Sequence, residues 1–547
     1  MTAVAFSPAQ RARLAELLTP GGRRRVDPAL PVWVPVACVA LVTVAAVALV
    51  LLGKPWLAIA GMLSIPVLLG AFSRSDRVTQ LVLFLLYTNA AVIANKFHGV
   101  PLPIVAGVPL LLGIPIAQWV IFRGQKIIVT PVLPLMLAFF AIQLVGALFA
   151  AEPDKALPNL FEFAVEGIAL YVLVVNAIRT PETLRRAIWT LVVAGACMGA
   201  LVFYQQVTGT YDRNYGGFAQ VSNAAFEIGE DVAGQEILQP RLTGPLGVQN
   251  RFAQTLAMLL PLALALFWSA RSLRARLAAL GCFQLVGIGI ALAFSRGAAV
   301  GIAFMFLCML GMGYIRLRHL VIVGVMLGLV ALAVPQYAVR LSSLARVGDA
   351  LELGSSTGFR NTDGATRSRL TEMAGAALAF ADHPVVGVGP GMYREHYREY
   401  AERAGLKVKV TDRESHSLYL GLAAEHGLLG LLVFTAIIGV TFWELARARR
   451  RWRRQRPELA NLVGGLLMAL VGYLAIGFFL HFAYIRYFWL MMGLAAAASR
   501  VAPARATAAR PGVVRPAALG FAPGVEESVK RVLLGTYRPA LPPGAAR

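Results

Sequence analysis

The chain has 547 residues, of which 58% are hydrophobic and 14% charged, with a mean hydropathy of +0.67. Soluble domains carry about 45–50% apolar and about 25% charged residues, so a soluble globular enzyme is excluded and lipid is the solvent. The formal charge of +23 would suggest a nucleic-acid partner in a soluble protein. In a membrane protein the question is on which side the basic residues fall.

A hydrocarbon core of about 30 Å takes about 20 helical residues. Before the first such run, residues 7–18 read as a short helix with Ser7 as N-cap and Pro8 at its first position. Apolar runs near 31–52, 55–72, 78–95, 100–122, 129–150, 160–177 and 184–205 follow. Further runs lie near 251–269, 277–294, 298–315, 318–335, 418–443, 459–480 and 482–499. The expected fold is an all-α polytopic membrane protein of about 12–14 transmembrane helices with a large helical extracytoplasmic loop. The first run lacks a small-residue cleavage site and reads as a span rather than a signal peptide. Residues 1–30 form a cytoplasmic segment, 31–335 and 418–500 the two blocks of spans, and 501–547 an Ala-, Pro- and Arg-rich tail that reads as largely disordered.

With the N-terminus cytoplasmic, the short inner connections hold nineteen Lys and Arg, seven of them within 444–459. The short outer connections hold five: Lys54, Lys96, Lys155, Arg296 and Arg486. The positive-inside rule therefore places both termini in the cytoplasm of a cell-membrane protein. Membrane lipid accounts for the charge, and no nucleic acid is needed. Cys38, Cys197, Cys282 and Cys308 all fall in apolar runs without paired spacing, as packing cysteines do.

Two outer segments break the run of tight turns, residues 206–250 and 336–417. In the second, 367–382 reads as an amphipathic helix stopped at His383-Pro384. PVVGVGPGMY follows, whose Gly387, Gly389 and Gly391 allow a tight turn. GVGPG is not a nucleotide fingerprint, and a plain turn is the better reading. A second helix spans about 392–403, and the chain re-enters the membrane through 413–434.

The stretch from Arg369 through PVVGVGPG to HSLYLGLAAEHGLLG resembles the C-terminal signature of the O-antigen ligase and polymerase superfamily. His416 and Ser417 are followed by nine residues, Gly427, two residues and Gly430, completing the family's most specific pattern. RLTGPLGVQNRFAQ (241–254) and FSRGA (294–298) resemble two weaker upstream signatures, and Met373 stands where the family usually has Trp. The resemblance implies a GT-C-like, metal-independent membrane glycosyltransferase that needs no cofactor. Such an enzyme moves a glycan from an undecaprenyl-diphosphate-linked donor to a hydroxyl of a glycan or glycolipid acceptor on the outer face, in surface polysaccharide synthesis. It maps the catalytic residues onto His416, Arg369 and Arg296 and substrate binding onto Arg241 and Arg251; Glu425 and Tyr419 are further substrate-binding candidates.

Elementary chemistry runs parallel. A departing diphosphate gathers negative charge, and without a metal a guanidinium fork is the natural stabiliser. The lesser alternative for Arg296, in a short outer turn, is a snorkelling interfacial arginine, and Arg369 alone would read as a solvated helix residue. A neutral imidazole at His416 could accept or orient the acceptor's hydroxyl proton; His481 lacks such a context and reads as structural. Glu425, two turns inside a span, is costly there and its role is open. Glu162 and Glu166, four apart on one helix face, could meet an arginine of the site or form an ordinary buried pair. The outer side shows no HExxH, DxD or Cys/His cluster, which argues against a catalytic metal. A transporter or flippase of a lipid-linked sugar is the alternative, although transporters place their ionisable groups at the midplane of repeated halves. A non-catalytic scaffold would make the arginine–histidine set accidental.

Overall fold

The computed structural model describes residues 74–230, 236–333, 364–404, 413–482 and 484–501. The expected helix at 7–18, the spans at 31–52 and 55–72, the first part of the 336–417 loop and the tail beyond Val501 lie outside the described residues. The protein is a multi-pass membrane protein. Each remaining apolar run folds as helix: α1 Ser75–Tyr87 and α2 Ala90–His98, bent by 57° at a short break, then α3 Leu102–Phe122, α4 Val132–Leu148, α5 Pro153–Ala177 and α6 Pro181–Thr208. After an antiparallel hairpin, β1 Gln220–Glu230 and β2 Glu236–Gly244, come α7 Gln249–Ser269, α8 Leu273–Leu292, α9 Arg296–Gly311 and α10 Leu317–Ala333. The loop helices are α11 Gly364–Asp382 and α12 Tyr393–Arg403, and α13 Leu418–Gln455, α14 Pro457–Phe479 and α15 Ile485–Arg500 complete the bundle.

Among the described residues seven helices are long and apolar enough to cross a membrane, or eight if the bent α1–α2 pair is one span. Three of the expected spans appear as shorter helices, α4, α9 and α15, of 16 or 17 residues. At 1.5 Å per residue these reach about 25 Å, a little under the hydrocarbon thickness. The hairpin is the departure from an all-helical chain, in a segment that reads from sequence only as a polar loop.

Local chemistry sets the helix ends. Thr180 caps α6 by accepting the Thr183 N–H, with Pro181 at the first helical position and Gly209 closing the far end at φ 65°. Ser272, Ser295 and Ser417 cap α8, α9 and α13 in the same way. Helices α7, α14 and α15 form the centre of the bundle: 89% of the apolar window of α7 is buried, and α15 buries Phe488, Trp489 and Met492 completely. Small residues let backbones meet, as where Gly289 of α8 faces the Gly199 backbone of α6. At one end of the bundle Arg185, Arg271 and Arg456 gather around Glu182 and Glu458. The hairpin, α11 and α12 belong to the opposite end, which holds the residues of interest.

Candidate active site at the loop end of the bundle

The glycine turn and the His416–Gly430 segment fit together through their backbones. Val388 donates to the carbonyl of Ala424 (2.9 Å) and Gly389 to that of Glu425 (3.1 Å); in return Leu428 donates to Pro384 (2.7 Å) and Leu429 to Val385 (3.3 Å). This exchange requires a break inside α13, and Gly427 supplies it at φ 62°, ψ −165°, a conformation essentially confined to glycine. A Cβ at Gly427 would run into the Val385 backbone, and one at Gly387 into that of Glu425 and His426. The spacing of the signature thus has a mechanical reason: nine residues carry the helix from its cap at Ser417 to the point where the turn docks. GVGPG is a docking turn. Glu425, whose role the sequence left open, accepts the backbone N–H groups of Gly391 and Tyr393 and anchors the turn from the membrane helix.

Just ahead of the cap, His416 adopts a left-handed backbone (φ 49°), a conformation that costs about 1 kcal/mol in a non-glycine residue. Ser415 Oγ donates to the Ser417 carbonyl across this bend. His416 Nδ1 lies 2.7 Å from Glu372 Oε2 on α11 and 3.2 Å from the carbonyl oxygen of Glu414. Two oxygens at Nδ1 call for a proton there, which leaves the lone pair of the neutral ring on Nε2. Glu372 is 1% exposed, and its other oxygen accepts the Ser368 hydroxyl. It sits three residues after Arg369 on α11, so one helix face carries both.

Further titratable groups converge here. The His481 ring lies 5.9 Å from that of His416. Burial first, and then the neighbouring Arg251, His416 and Arg394, hold the His481 imidazole well below its ordinary range. Burial pushes the Glu414 carboxyl up, against the opposing pull of Arg394, Arg251 and His416. Arg251, 3% exposed in the first turn of α7, donates through Nη1 to Gln254 Oε1 (3.1 Å), while Nη2 has no hydrogen-bond partner among the described residues.

The other sequence-derived candidates take separate places. Arg241, on β2, donates to the carbonyls of Ala293 and Phe294 and to Asn250, and so braces the turn that carries Arg296. Arg296 follows the Ser295 cap and is 9% exposed. Its neighbour Gly297 packs on Phe479, and Gly477, in the same short turn, packs on Leu418 two residues beyond His416. The Arg296 and His416 turns therefore rest on one support. Arg369 is half-buried on α11. Tyr419 donates its hydroxyl to the Leu474 carbonyl (3.0 Å) and packs against Phe478, a packing arrangement. Glu166 meets an arginine, Arg486 at 3.2 Å, which also holds Asn89, whereas Glu162 faces a pocket next to His481. Among the described residues no three His, Cys, Asp or Glu side chains converge as metal ligands.

Sequence reasoning missed Glu372, Glu414 and Arg394, and read His481 as structural. Glu372 lies three residues after Arg369 and Glu414 two before His416, whereas Arg394 and His481 come from segments far from both in sequence.

Residues 281–435 match the O-antigen ligase family. No curated protein matches the chain. The matched span runs from α8 to the part of α13 beyond the Gly427 break and includes Arg296, Arg369, Glu372 and His416, while Arg241, Arg251 and His481 lie outside it. The chain thus carries an O-antigen ligase family domain over residues 281–435, set within a multi-pass membrane protein.

Proposed function

We propose that the protein is a metal-independent glycosyltransferase that moves a glycan from an undecaprenyl-diphosphate carrier to an acceptor hydroxyl on the extracytoplasmic face. The observation that carries this reading is the buried Glu372 carboxylate beside His416 Nδ1, with Glu414 coupled electrostatically both to His416 and to the incompletely bonded guanidinium of Arg251. His416 Nε2 accepts the proton of the acceptor hydroxyl as its oxygen attacks the anomeric carbon. The bond from that carbon to the diphosphate oxygen breaks, and the diphosphate leaves with the bonding electrons. Glu372 stabilises the imidazolium that forms, in the manner of the carboxylate that orients a catalytic histidine elsewhere. Arg296 and Arg369, together with Arg251, meet the charge on the departing diphosphate.

In this reading the end of the bundle carrying α11 and α12 faces outward. The arginine-rich opposite end, both termini and the tail from 501 face the cytoplasm. Residues 336–417 form the extracytoplasmic loop.

The deciding experiment offers purified protein a defined undecaprenyl-diphosphate glycan and candidate acceptors in the presence of EDTA. Transfer that persists with chelator, and is lost in Arg296→Ala and Arg369→Ala proteins that still insert, supports the reading. Unchanged turnover in both variants, or activity that returns only with a divalent ion, overturns it. Product length separates single ligation from polymerisation.

A further inference from the structure

We propose that the pocket beside His416 seats one uncharged, hydroxyl-rich sugar ring, and that this ring belongs to the acceptor. The assignment to the acceptor rests on the transferase reading above; the assignment to a sugar does not.

The pocket has a volume of about 180 Å³ and lies between α4, α5, the Pro390–Gly391 turn, the start of α13 and the segment joining α14 to α15. It reaches His481, whose ring is 5.9 Å from that of His416. Polar groups enter from every wall: Gln143 from α4, Asn159 and Glu162 from α5, Glu414 ahead of α13, His426 within it, and His481 opposite.

Two of these groups hold a ring nitrogen without a hydrogen-bond partner among the described residues. His426 is only 6% exposed, and its Nδ1 has no hydrogen-bond partner among the described residues; the same holds for His481 Nδ1. A buried unpaired polar atom costs about 1–3 kcal/mol, and a ligand hydroxyl would satisfy it as either donor or acceptor. Phe139 and Phe163 line the pocket as well, edge to face at 5.4 Å, and offer apolar surface to the C–H face of a ring. Glu162 and Phe163 stand where α5 widens into a π-helical stretch, Phe163–Ala169, shortly after Pro158.

The charge pattern selects against an anion. The lining holds three carboxyl groups and, among the described residues, no lysine or arginine. A phosphate would find no cation in this lining, whereas carboxyl, amide and imidazole groups suit hydroxyls. Arginine and carboxyl thus divide the substrates: the diphosphate belongs with Arg251 and Arg296, and the neutral ring with the pocket.

The test uses the full chain in lipid nanodiscs, with all four cysteines replaced by serine and Gln143→Cys introduced in the pocket wall. The rate of labelling by methyl methanethiosulfonate is measured against methyl glucoside, methyl N-acetylglucosaminide and inorganic phosphate. Either glycoside should slow labelling saturably, and phosphate should leave it unchanged. Glu162→Gln or His426→Gln should raise the half-protecting glycoside concentration about tenfold, the effect of losing one hydrogen bond to a buried or charged group. Asn159→Cys repeats the measurement from the α5 wall should the first variant fail to fold. Labelling indifferent to both glycosides, or slowed by phosphate, overturns the proposal. Because labelling needs no turnover, glycoside protection in a protein that moves no glycan sustains the pocket and defeats only the transferase reading.

Discussion

Glu372 and His416 stand 44 positions apart in the chain, yet the carboxylate oxygen of one lies 2.7 Å from the Nδ1 of the other, with Glu372 almost wholly buried. With the buried carboxylate at ion-pair distance from the same nitrogen, the hydrogen bond from Nδ1 to the Glu414 carbonyl fixes the ring's tautomer. It leaves the other nitrogen as the acceptor. The pair joins the loop helix α11 to the entry of α13, so a base would be in place only when the loop is docked.

His416→Ala should lower glycan transfer by about 10²–10⁴-fold, the usual contribution of a positioned acid–base group. Glu372→Ala should lower kcat with little change in the acceptor KM, and Glu372→Gln should retain more activity than the alanine variant because an amide of the same size can still accept the Ser368 hydroxyl and fill the space beside Nδ1. Steady-state kinetics on the purified variants checks both. A change confined to KM would mean that Glu372 shapes binding instead of the base.

Glu414 links pH to stability. Its carboxyl is raised in the folded protein by burial, so the folded state holds the proton more tightly than the unfolded chain does. This contribution is present in full at low pH and is lost as pH rises above the ordinary carboxylate value of 4.5. Glu414→Gln should therefore raise the thermal midpoint at pH 7, and the difference from the parent protein should shrink as pH falls toward that value. Melting curves in detergent across this range decide the matter; a destabilised variant at pH 7 would show that the partner charges outweigh burial.

Arg251 is a buried cation with an unfilled donor. Such groups are retained for function at a cost in stability. Arg251→Gln should raise the thermal midpoint by a few degrees while reducing transfer at least about tenfold, as expected when a charged contact to phosphate is lost. A variant less stable than the parent would instead assign Arg251 a structural role.

Gly427→Ala tests the docking of the turn. The alanine would need a backbone conformation that it avoids and would collide with Val385, so we expect a loss of about 3 kcal/mol or more. Limited proteolysis should then cut near residues 383–391 while the membrane helices stay protected. Gly439→Ala, further along the same helix with open space at its Cβ, should be stabilising or neutral.

Much of this protein is legible in the sequence because lipid imposes one-dimensional rules. Apolar runs of the right length must become helices, since a span can satisfy its backbone hydrogen bonds only within itself. Serine and threonine caps mark where α6, α8, α9 and α13 begin, and the His-Ser-x9-Gly-x2-Gly spacing points to the domain that residues 281–435 carry. What the pattern could not convey is which side chains meet. The carboxylate beside His416, the bracing of the Arg296 turn by Arg241, and the anchoring of the glycine turn by Glu425 all arise from backbone exchange and packing between distant segments. Such contacts are short-ranged and set by three-dimensional register, which hydropathy and spacing along the chain do not encode.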